Sequence, residues 1–355
     1  MSREIKLSIC IPTYKRKKLI VALVNEIINQ LCETESDDVE LVVSVNPSDD
    51  KIENEIIPLM EKRKYKLLIN STNIGAVPNM LNAVNHAIGK LVWIIGDDDM
   101  IVPGTIARVI DAIREYPDIT WMYLNTARLT GNAEDENTKL CEAYANKIVD
   151  RGYYSDGRRE LIKLFREIDS RILFSTSNIY LRQALLDVKK MNYAEKNHAK
   201  HDIYFQLTGT FYAATLGAAY IIPDTCIIEG EMITWSESAY YVSVHGINDA
   251  VLAAADWGYS NKEVKDLVRY RLTHDALIIW WRIFIKIIQN PLVGFEDYAK
   301  YFKMYPLLSL FMLLGIGVWM PYLFLRKLVR NRKRANSLKD LMLKNDLPEC
   351  IKNRL

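Results

Sequence analysis

The first hundred residues alternate between short apolar runs and segments with helical periodicity. Four runs have the length of buried strands: residues 7–11, 40–45, 66–70 and 91–95. Apolar residues between the first two runs recur three and four positions apart, as in Ile20, Leu23, Val24 and Ile27, which is the spacing of one buried helix face. Helices are also expected at 51–62, where Pro58 marks a kink or boundary, and from Pro78 onward. This β-α-β-α-β-α-β order predicts an α/β fold, an open, doubly wound and mostly parallel sheet.

Polar segments follow each predicted strand on the same side. They are Pro12-Thr13-Tyr14, Asn46, Asn73-Ile74-Gly75 and Asp97-Asp98-Asp99. Sheets of this class bind ligands beyond the carboxyl ends of their strands. We therefore expect the four segments to form one site.

Three adjacent carboxylates end the fourth strand, and they repel one another unless a cation lies among them. If strand-like alternation continues, Asp97 and Asp99 converge on one site and Asp98 turns aside. Ligands that are all oxygen suit Mg²⁺ or Mn²⁺, with a nucleotide diphosphate completing the shell. The alternative is a solvated acidic turn.

The middle of the chain is less regular. We expect a helix at 102–115, a strand at 119–124, a polar excursion at 130–160, and strands near 218–222 and 226–228. From about residue 263 the sequence becomes helical and increasingly apolar. Residues 1–250 are therefore expected to form one domain, divided near residue 125, and residues 251–355 a helical C-terminal region.

Two C-terminal segments suggest a membrane surface. In residues 276–288, the only charges are Arg282 and Lys286, on a narrow stripe of an otherwise apolar helix. The alternative for this segment is a core helix. Residues 306–325 carry no charge, and six basic residues follow: Arg326, Lys327, Arg330, Arg332, Lys333 and Arg334. The length of the run suits a spanning helix. Two observations argue against a single span. Pro306 and Pro321 interrupt the run, and the basic cluster prefers the cytoplasmic side, where the nucleotide-binding domain must also lie. We therefore favour a helix that lies in the inner leaflet and is held to anionic headgroups.

Composition narrows the class of protein. Half of the 355 residues are hydrophobic and the net charge is +2. The five cysteines are scattered, which indicates a reducing compartment and argues against a disulfide framework or a structural zinc site. The N-terminus shows no apolar signal segment, and the chain contains no Walker lysine, GxGxxG or nucleophile elbow. Nucleic acid is not expected as a partner.

Several motifs occur together in the order and spacing of one large family. They are LSICIPTYKR, ELVVSVNPSDD, NIGAVPNMLNAVNHAIGKLVWIIGDDD and MIVPGTI, within residues 5–125. By these motifs the chain resembles the GT-A fold, nucleotide-sugar-dependent inverting glycosyltransferases that build bacterial surface polysaccharides. The GDDD ending resembles the branch with sugar transferases of O-antigen synthesis.

The resemblance implies roles for the residues of the site. The loop with Pro12, Thr13, Tyr14 and Arg16 would line the nucleotide. Asn73, Asp97 and Asp98 would also belong to the nucleotide pocket, and Asp99 would ligate the metal on the diphosphate. The family usually has an acid before the position of Asn46, but this chain has Val45, which accepts no hydrogen bond from a base. Either Asn46 substitutes, or the base is held differently.

Inverting transfer also needs a general base for the acceptor hydroxyl. In the family this is an acid about a hundred residues after the acidic motif, and Asp202 matches best; its alternative is a helix N-cap. His201 is the reserve, ahead of His198 and Glu195. His245 is a candidate ligand to the metal or diphosphate, or a structural histidine. In the family the stretch equivalent to residues 172–180 lies near the acceptor; otherwise it is an ordinary amphipathic strand.

Taken together, these features predict a membrane-associated glycosyltransferase at the cytoplasmic face of the inner membrane. It would move a sugar from a nucleotide-sugar donor to a lipid-linked glycan. The alternatives are a catalytically silent, membrane-tethered nucleotide-sugar binding protein and a nucleotidyltransferase. The sugar, the base, the acceptor, the linkage and the oligomeric state are not determined by the sequence.

Overall fold

The computed structural model describes residues 4–34, 37–61, 65–130, 139–143, 152–168, 172, 174–190, 205–230 and 241–310. The strands are β1 (Leu7–Thr13), β2 (Val39–Val45), β3 (Lys66–Ile69), β4 (Leu91–Ile94), β5 (Met100–Ile101), β6 (Ile119–Thr130), β7 (Lys139–Ala143), β8 (Gly152–Tyr154), β9 (Asn178–Leu181) and β10 (Ala218–Glu229). The helices are α1 (Lys17–Glu33), α2 (Glu53–Glu61), α3 (Ala76–His86), α4 (Thr105–Glu115), α5 (Gly157–Ile168), α6 (Arg182–Lys190), α7 (Phe205–Thr215), α8 (Ile247–Ala253), α9 (Asn261–His274), α10 (Ala276–Gln289) and α11 (Pro291–Met304).

The strands form one mixed sheet in the order β3-β2-β1-β4-β9-β6-β10-β5. The predicted parallel unit is present, with Ile9 of β1 opposite Leu41 of β2 and Trp93 of β4. The expectation of a mostly parallel sheet is wrong beyond this unit. Strand β9 lies antiparallel between β4 and β6 and separates two parallel groups. Its residues come from the hydroxyl-rich stretch 172–180, so that stretch contributes a central strand.

The predicted strands at 218–222 and 226–228 are one irregular strand. Strand β10 runs parallel to β6 through both segments, with register shifts around Pro223 and Asp224. Because β10 points in the same direction as β1, its carboxyl end reaches the same edge of the sheet. The polar residues between the two segments predicted two separate strands. In the structure they form a bulge that bends the single strand β10.

Helices cover both faces of the sheet, and their apolar positions explain why. The face covered by α1, α2 and α4 packs Ile20, Ile56 and Ile106 against strand residues such as Ile9. The other face is covered by α3 and by α5 to α11. Pro58 lies inside α2 without ending it.

Helix α10 is a core helix, so the expectation of an interfacial helix at 276–288 is wrong. Its Ile279, Trp280 and Ile283 are buried in the same apolar cluster as sheet residues, and the Trp280 indole donates to the Leu272 carbonyl. Arg282 and Lys286 of the charged stripe are half-buried.

Within the described ranges, none of the helices has both the length and the apolar character needed to cross a membrane. Most of the uncharged run and the whole basic cluster lie at 311–355, outside the described residues.

Candidate active site

The carboxylate of Asp97 is the hub of the site. The chain leaves β4 at Ile94 and turns, which brings Asp97 against the loop after β1. Its Oδ2 accepts from the Thr13 hydroxyl at 2.7 Å and from the Tyr14 amide at 3.4 Å, and its Oδ1 lies 2.6 Å from Arg16 Nη1. The sequence prediction that these segments meet at one edge is confirmed by these contacts.

A left-handed residue allows this loop to close on Asp97. Lys15 has φ +56°, a conformation that residues other than glycine rarely adopt. The turn presents the Tyr14 amide and the Arg16 side chain to the same carboxylate. Pro12 is the penultimate residue of β1, and the Tyr14 side chain remains 37% exposed beside the site. An exposed aromatic ring at this edge is free to contact a ligand.

The expected convergence of Asp97 and Asp99 is wrong in detail. Arg16 Nη1 lies 2.6 Å from Asp97 and 3.0 Å from Asp98, so those two carboxylates share one guanidinium. Asp99 faces a different set of partners. The reason is that residues 97 and 98 form a turn, closed by the Asp99 amide on the Gly96 carbonyl at 3.1 Å, and strand alternation ends before it.

Asp99 is held by Thr176, from the stretch 172–180 that the family resemblance put near the acceptor, and by Gly230, which the sequence analysis did not select. Its Oδ2 accepts from the Thr176 hydroxyl at 2.5 Å, and its Oδ1 accepts from the Gly230 amide at 3.1 Å. The Thr176 hydroxyl in turn accepts from the Gly96 amide at 3.0 Å. Thr176 thus ties both ends of the acidic turn to the start of β9.

Gly230 follows the last strand and touches the turn directly. A Cβ atom at Gly230 would lie 2.2 Å from the Asp98 carbonyl oxygen, so only glycine fits there. The adjacent Glu229 accepts from the Thr126 hydroxyl at 3.0 Å, and its charge contributes to the field at Asp99. The other loops were selected because they follow the carboxyl ends of strands. Glu229 and Gly230 lie at the carboxyl end of β10, so the same rule would have selected them.

Burial and crowding shape the electrostatics of the acidic turn. Burial, followed by the charge of Asp98, raises the pKa of Asp99 well above its ordinary value. The pKa of Asp98 is also raised by burial, against the opposing effect of Arg16. Ionising these buried, neighbouring carboxylates therefore costs free energy, and a bound cation would reduce that cost.

An asparagine cluster builds the neighbouring loop. Asn46 donates to Asn73 Oδ1 at 3.0 Å and accepts from Asn70 Nδ2 at 3.0 Å and from the Ile74 amide at 3.3 Å. Asn79 donates to the carbonyls of Thr13 and Ser44. Asn46 is 2% exposed, and both ends of its amide are engaged within the protein. It positions the exposed Asn73 loop in this structure, and a direct contact from Asn46 to a base remains a prediction.

The acidic turn has the donor chemistry of a hard divalent cation. Mg²⁺ in nucleotide sites commonly takes one or two carboxylates and completes its shell with phosphates and waters. Asp98 and Asp99 supply that number of carboxylates. Across the described ranges no group of three or more histidine, cysteine or acidic residues is arranged to hold a metal ion.

The remaining candidates lie elsewhere. Asp202, His201, His198 and Glu195 fall outside the described residues, just before α7 begins at Phe205. His245 lies in a turn of π-helix at Tyr241–Gly246, with its Nε2 3.1 Å from an Asp297 carboxylate oxygen of α11. This contact is the structural role that was weighed against metal binding, and the metal role stays a prediction.

Comparisons with known proteins show the family and the fold of the chain. The sequence model described as Glycosyl transferase family 2 matches residues 8–188. A curated relative is abequosyltransferase RfbV of Salmonella typhimurium, 34% identical over 127 residues. That match covers 35% of this chain and 37% of the relative, so the chain aligns with about a third of that protein.

Solved structures of similar fold include S. aureus TarS 1–349. The match has a TM-score of 0.54 and 17% identity, and it covers 87% of this chain and 92% of TarS 1–349. The complex of TarS 1–349 with UDP-GlcNAc matches with a TM-score of 0.52 at 17% identity over the same shares. The complex with UDP matches with a TM-score of 0.51 at 18% identity, covering 75% of this chain and 70% of that one. At this identity the likeness shows the fold, which is GT-A-like as expected.

Proposed function

Because the chain belongs to glycosyl transferase family 2, we propose that this glycosyltransferase moves a sugar from a nucleotide-sugar donor onto a lipid-linked glycan, with inversion. The observation that carries the proposal is the joining of Thr13, Arg16 and Asp97 at the carboxyl edge of the sheet. These contacts assemble, from segments 81 residues apart or more, the edge where sheets of this class bind ligands.

A nucleoside diphosphate sugar is the donor that fits this edge. TarS structures are known with UDP and UDP-GlcNAc, and the name of RfbV refers to transfer of abequose. In this chain, the Tyr14 ring and the Asn73 loop flank the Asp97 hub and would contact the base and ribose. The relative's sugar is not carried over, because the aligned part omits most of that protein.

Asp98 and Asp99 would hold the divalent cation, Mg²⁺ or Mn²⁺. Such an ion offsets the negative charge of the departing diphosphate. The protein's own contribution is to keep two acids adjacent and oriented, through Arg16 on one side and Thr176 with the Gly230 amide on the other.

The proton of the acceptor hydroxyl would go to Asp202, with His201 in reserve. Asp202 lies outside the described residues, three positions before Phe205 in the sequence, and its role as the base is carried over from the family resemblance. A single base acting on the hydroxyl while the sugar's anomeric carbon is attacked from the opposite side gives inversion.

The acceptor and the membrane belong to the same proposal. The basic cluster at 326–334 would attract anionic headgroups of the cytoplasmic leaflet, at about 1 kcal/mol per residue. A protein held there meets both a soluble nucleotide sugar and a glycan on a lipid carrier. The enzyme would therefore be peripheral or monotopic at the inner membrane.

The test is a binding screen of nucleoside diphosphates, each with Mg²⁺, Mn²⁺ or EDTA, read by calorimetry. We expect one nucleotide to bind with a metal and to weaken with EDTA. Asp97→Asn should lower its affinity at least tenfold, because the Thr13 and Arg16 contacts lose a charged acceptor. Asp111→Asn, at an exposed position on α4, is the matched control and should bind normally.

Three outcomes separate the candidate functions. Release of the diphosphate from a nucleotide sugar, to water or to an acceptor, supports the glycosyltransferase. Tight binding without any turnover favours the silent binding protein. Formation of a nucleotide sugar from a nucleoside triphosphate and a sugar phosphate, with pyrophosphate released, would replace the proposal with a nucleotidyltransferase.

A further inference from the structure

Helix α11 contacts the protein on one side and exposes several apolar residues on the other. On its inner side, Tyr298 and Met304 pack against the apolar core. Asp297, 5% exposed, contacts His245 there, and the buried Tyr301 hydroxyl donates to the Val244 carbonyl. Lys300 reaches Asp249 of α8 at 2.6 Å. Apolar packing and polar contacts together attach this helix to the protein.

The outer side of α11 carries three large exposed apolar residues, together with the exposed Glu296 and Lys303. Leu292 is 86% exposed, Phe295 57% and Phe302 41%, and their spacing of three and seven residues places them along one side. Ile288 at the end of α10 and Leu307 just past α11 extend the surface, at 64% and 82% exposure. We call Ile288, Leu292, Phe295, Phe302 and Leu307 the α11 stripe.

The stripe is held rigidly. Helices α10 and α11 meet at Asn290 as a hairpin, and a Cβ atom on Gly294 would lie 2.4 Å from the Ile287 amide nitrogen. Such a close approach requires glycine. Because α10 is buried in the core through Ile279 and Ile283, the stripe is presented by a fixed support.

We propose that the α11 stripe inserts into the headgroup and acyl boundary of an anionic bilayer. Exposed apolar side chains in one contiguous group mark an interaction surface. Lys303 is exposed beside Phe302 and has the long stem that lets a cation reach headgroups from an inserted helix. The uncharged run 306–325 and the basic cluster at 326–334 continue directly from the stripe. This sequence of features fits a lipid surface better than a second copy of the chain. The inference rests on the membrane part of the proposed function and names the surface that would serve it.

The experiment is flotation of the full chain with vesicles of phosphatidylcholine, with and without phosphatidylglycerol. The double variant Leu292→Ser/Phe295→Ser removes the centre of the stripe. Its matched control is Ile88→Ser/Leu216→Ser, which removes two exposed apolar side chains elsewhere, at 63% and 43% exposure. We expect the stripe variant to bind both vesicle types on the order of 100-fold more weakly, and the control to bind as the wild type does.

A charge variant, with the six basic residues of the cluster replaced by glutamine, separates the two contributions. It should lose the preference for phosphatidylglycerol and its salt sensitivity while keeping the binding to neutral vesicles. Unchanged vesicle binding by the stripe variant would overturn the inference. If that variant instead unfolds at a lower temperature, the stripe is covered by the chain itself; if it changes the molecular mass in solution, a second copy covers it. Nucleotide binding, measured without lipid, tests the enzyme assignment separately and is expected to be normal in all variants.

Discussion

At the scale of single residues, the chain tolerates three consecutive acids by dividing them between two sets of partners. Asp97 and Asp98 share the guanidinium of Arg16, while Asp99 takes neutral donors, the Thr176 hydroxyl and the Gly230 amide. Only one positive charge therefore faces three carboxylates among these contacts. When all three acids are ionised, two negative charges stay uncompensated: one on the pair Asp97 and Asp98, and one on the buried Asp99. A cation bound beside Asp99 would offset the second.

Thr176 provides the sharpest residue-scale prediction. Thr176→Val keeps the volume but removes the hydroxyl between the Gly96 amide and Asp99. We expect a stability loss of about 1–3 kcal/mol, because the part-buried Gly96 amide and the buried Asp99 carboxylate each lose a hydrogen-bond partner. The concentration of Mn²⁺ that half-saturates nucleotide binding should also rise, since Asp99 is no longer oriented. Thr176→Ser should restore the metal dependence; if Ser fails to rescue it while folding normally, the hydroxyl has only a packing role.

The assignment of Asp202 is tested by Asp202→Asn. Asparagine keeps the size and the capping ability of aspartate but cannot take a proton. We expect turnover to fall at least about 100-fold with donor affinity retained, in line with general-base contributions. The measurement is initial rate against donor concentration. A loss of thermal stability with normal turnover would make Asp202 a helix cap and move the test to His201.

At the scale of elements, the site depends on a close approach between the turn after β4 and the end of β10. Gly230→Ala should separate them, because its Cβ would lie 2.2 Å from the Asp98 carbonyl oxygen. We expect metal-dependent nucleotide binding to be lost, together with about 1–3 kcal/mol of stability. Gly104→Ala is the matched control: it meets no atom within 4 Å but has φ +75°. The Gly104→Ala variant should lose about 1 kcal/mol of stability and should bind the nucleotide normally. Equal binding by both variants would contradict the role of Gly230.

The strand pattern was predictable where neighbours in sequence are neighbours in the sheet. The first four strands and the helices between them follow from local apolar periodicity. Strand β9 was not predictable as a central strand, because it pairs with β4 and β6 across gaps of about 80 and 50 residues. No local pattern specifies such pairing. The bulge in β10 was read as a break for the same reason.

In the site, too, some contacts could be predicted from the sequence and others depend on residues far apart in the chain. Contacts between Asp97 and the Thr13–Arg16 loop follow from strands that end at one edge, so the sequence was sufficient to place them. The orientation of Asp99 depends on Thr176 and Gly230, which lie 77 and 131 residues away. A short turn also replaced the strand alternation from which convergence of Asp97 and Asp99 was expected. Side-chain direction inside a turn is set by such distant contacts.

At the scale of the whole molecule, the described C-terminal helices and the sheet share one apolar core. Buried residues of α9, α10 and α11 belong to the same cluster as Val92 of β4 and Trp121 of β6. A buried polar network crosses the division proposed at residue 250: Arg271 donates to Asn248 at 2.8 Å, and Asn248 donates to the Tyr301 hydroxyl at 2.6 Å. We therefore expect the sheet and these helices to unfold together.

Tyr301→Phe tests this coupling. The change removes the hydroxyl that donates to the Val244 carbonyl and accepts from Asn248, all within the buried network. We expect a loss of about 1–3 kcal/mol, because buried polar groups lose a partner. Tyr305→Phe, which removes a more exposed bond to the Lys265 carbonyl, is the matched control and should cost less. Unfolding is followed by near-ultraviolet circular dichroism and by hydrogen exchange of the β1 and β4 amides. If the core is shared, Tyr301→Phe lowers the protection of the strand amides as much as it lowers the global transition. Strand protection that stays at the wild-type level while the helices melt early would show that residues 251–355 form a separate unit.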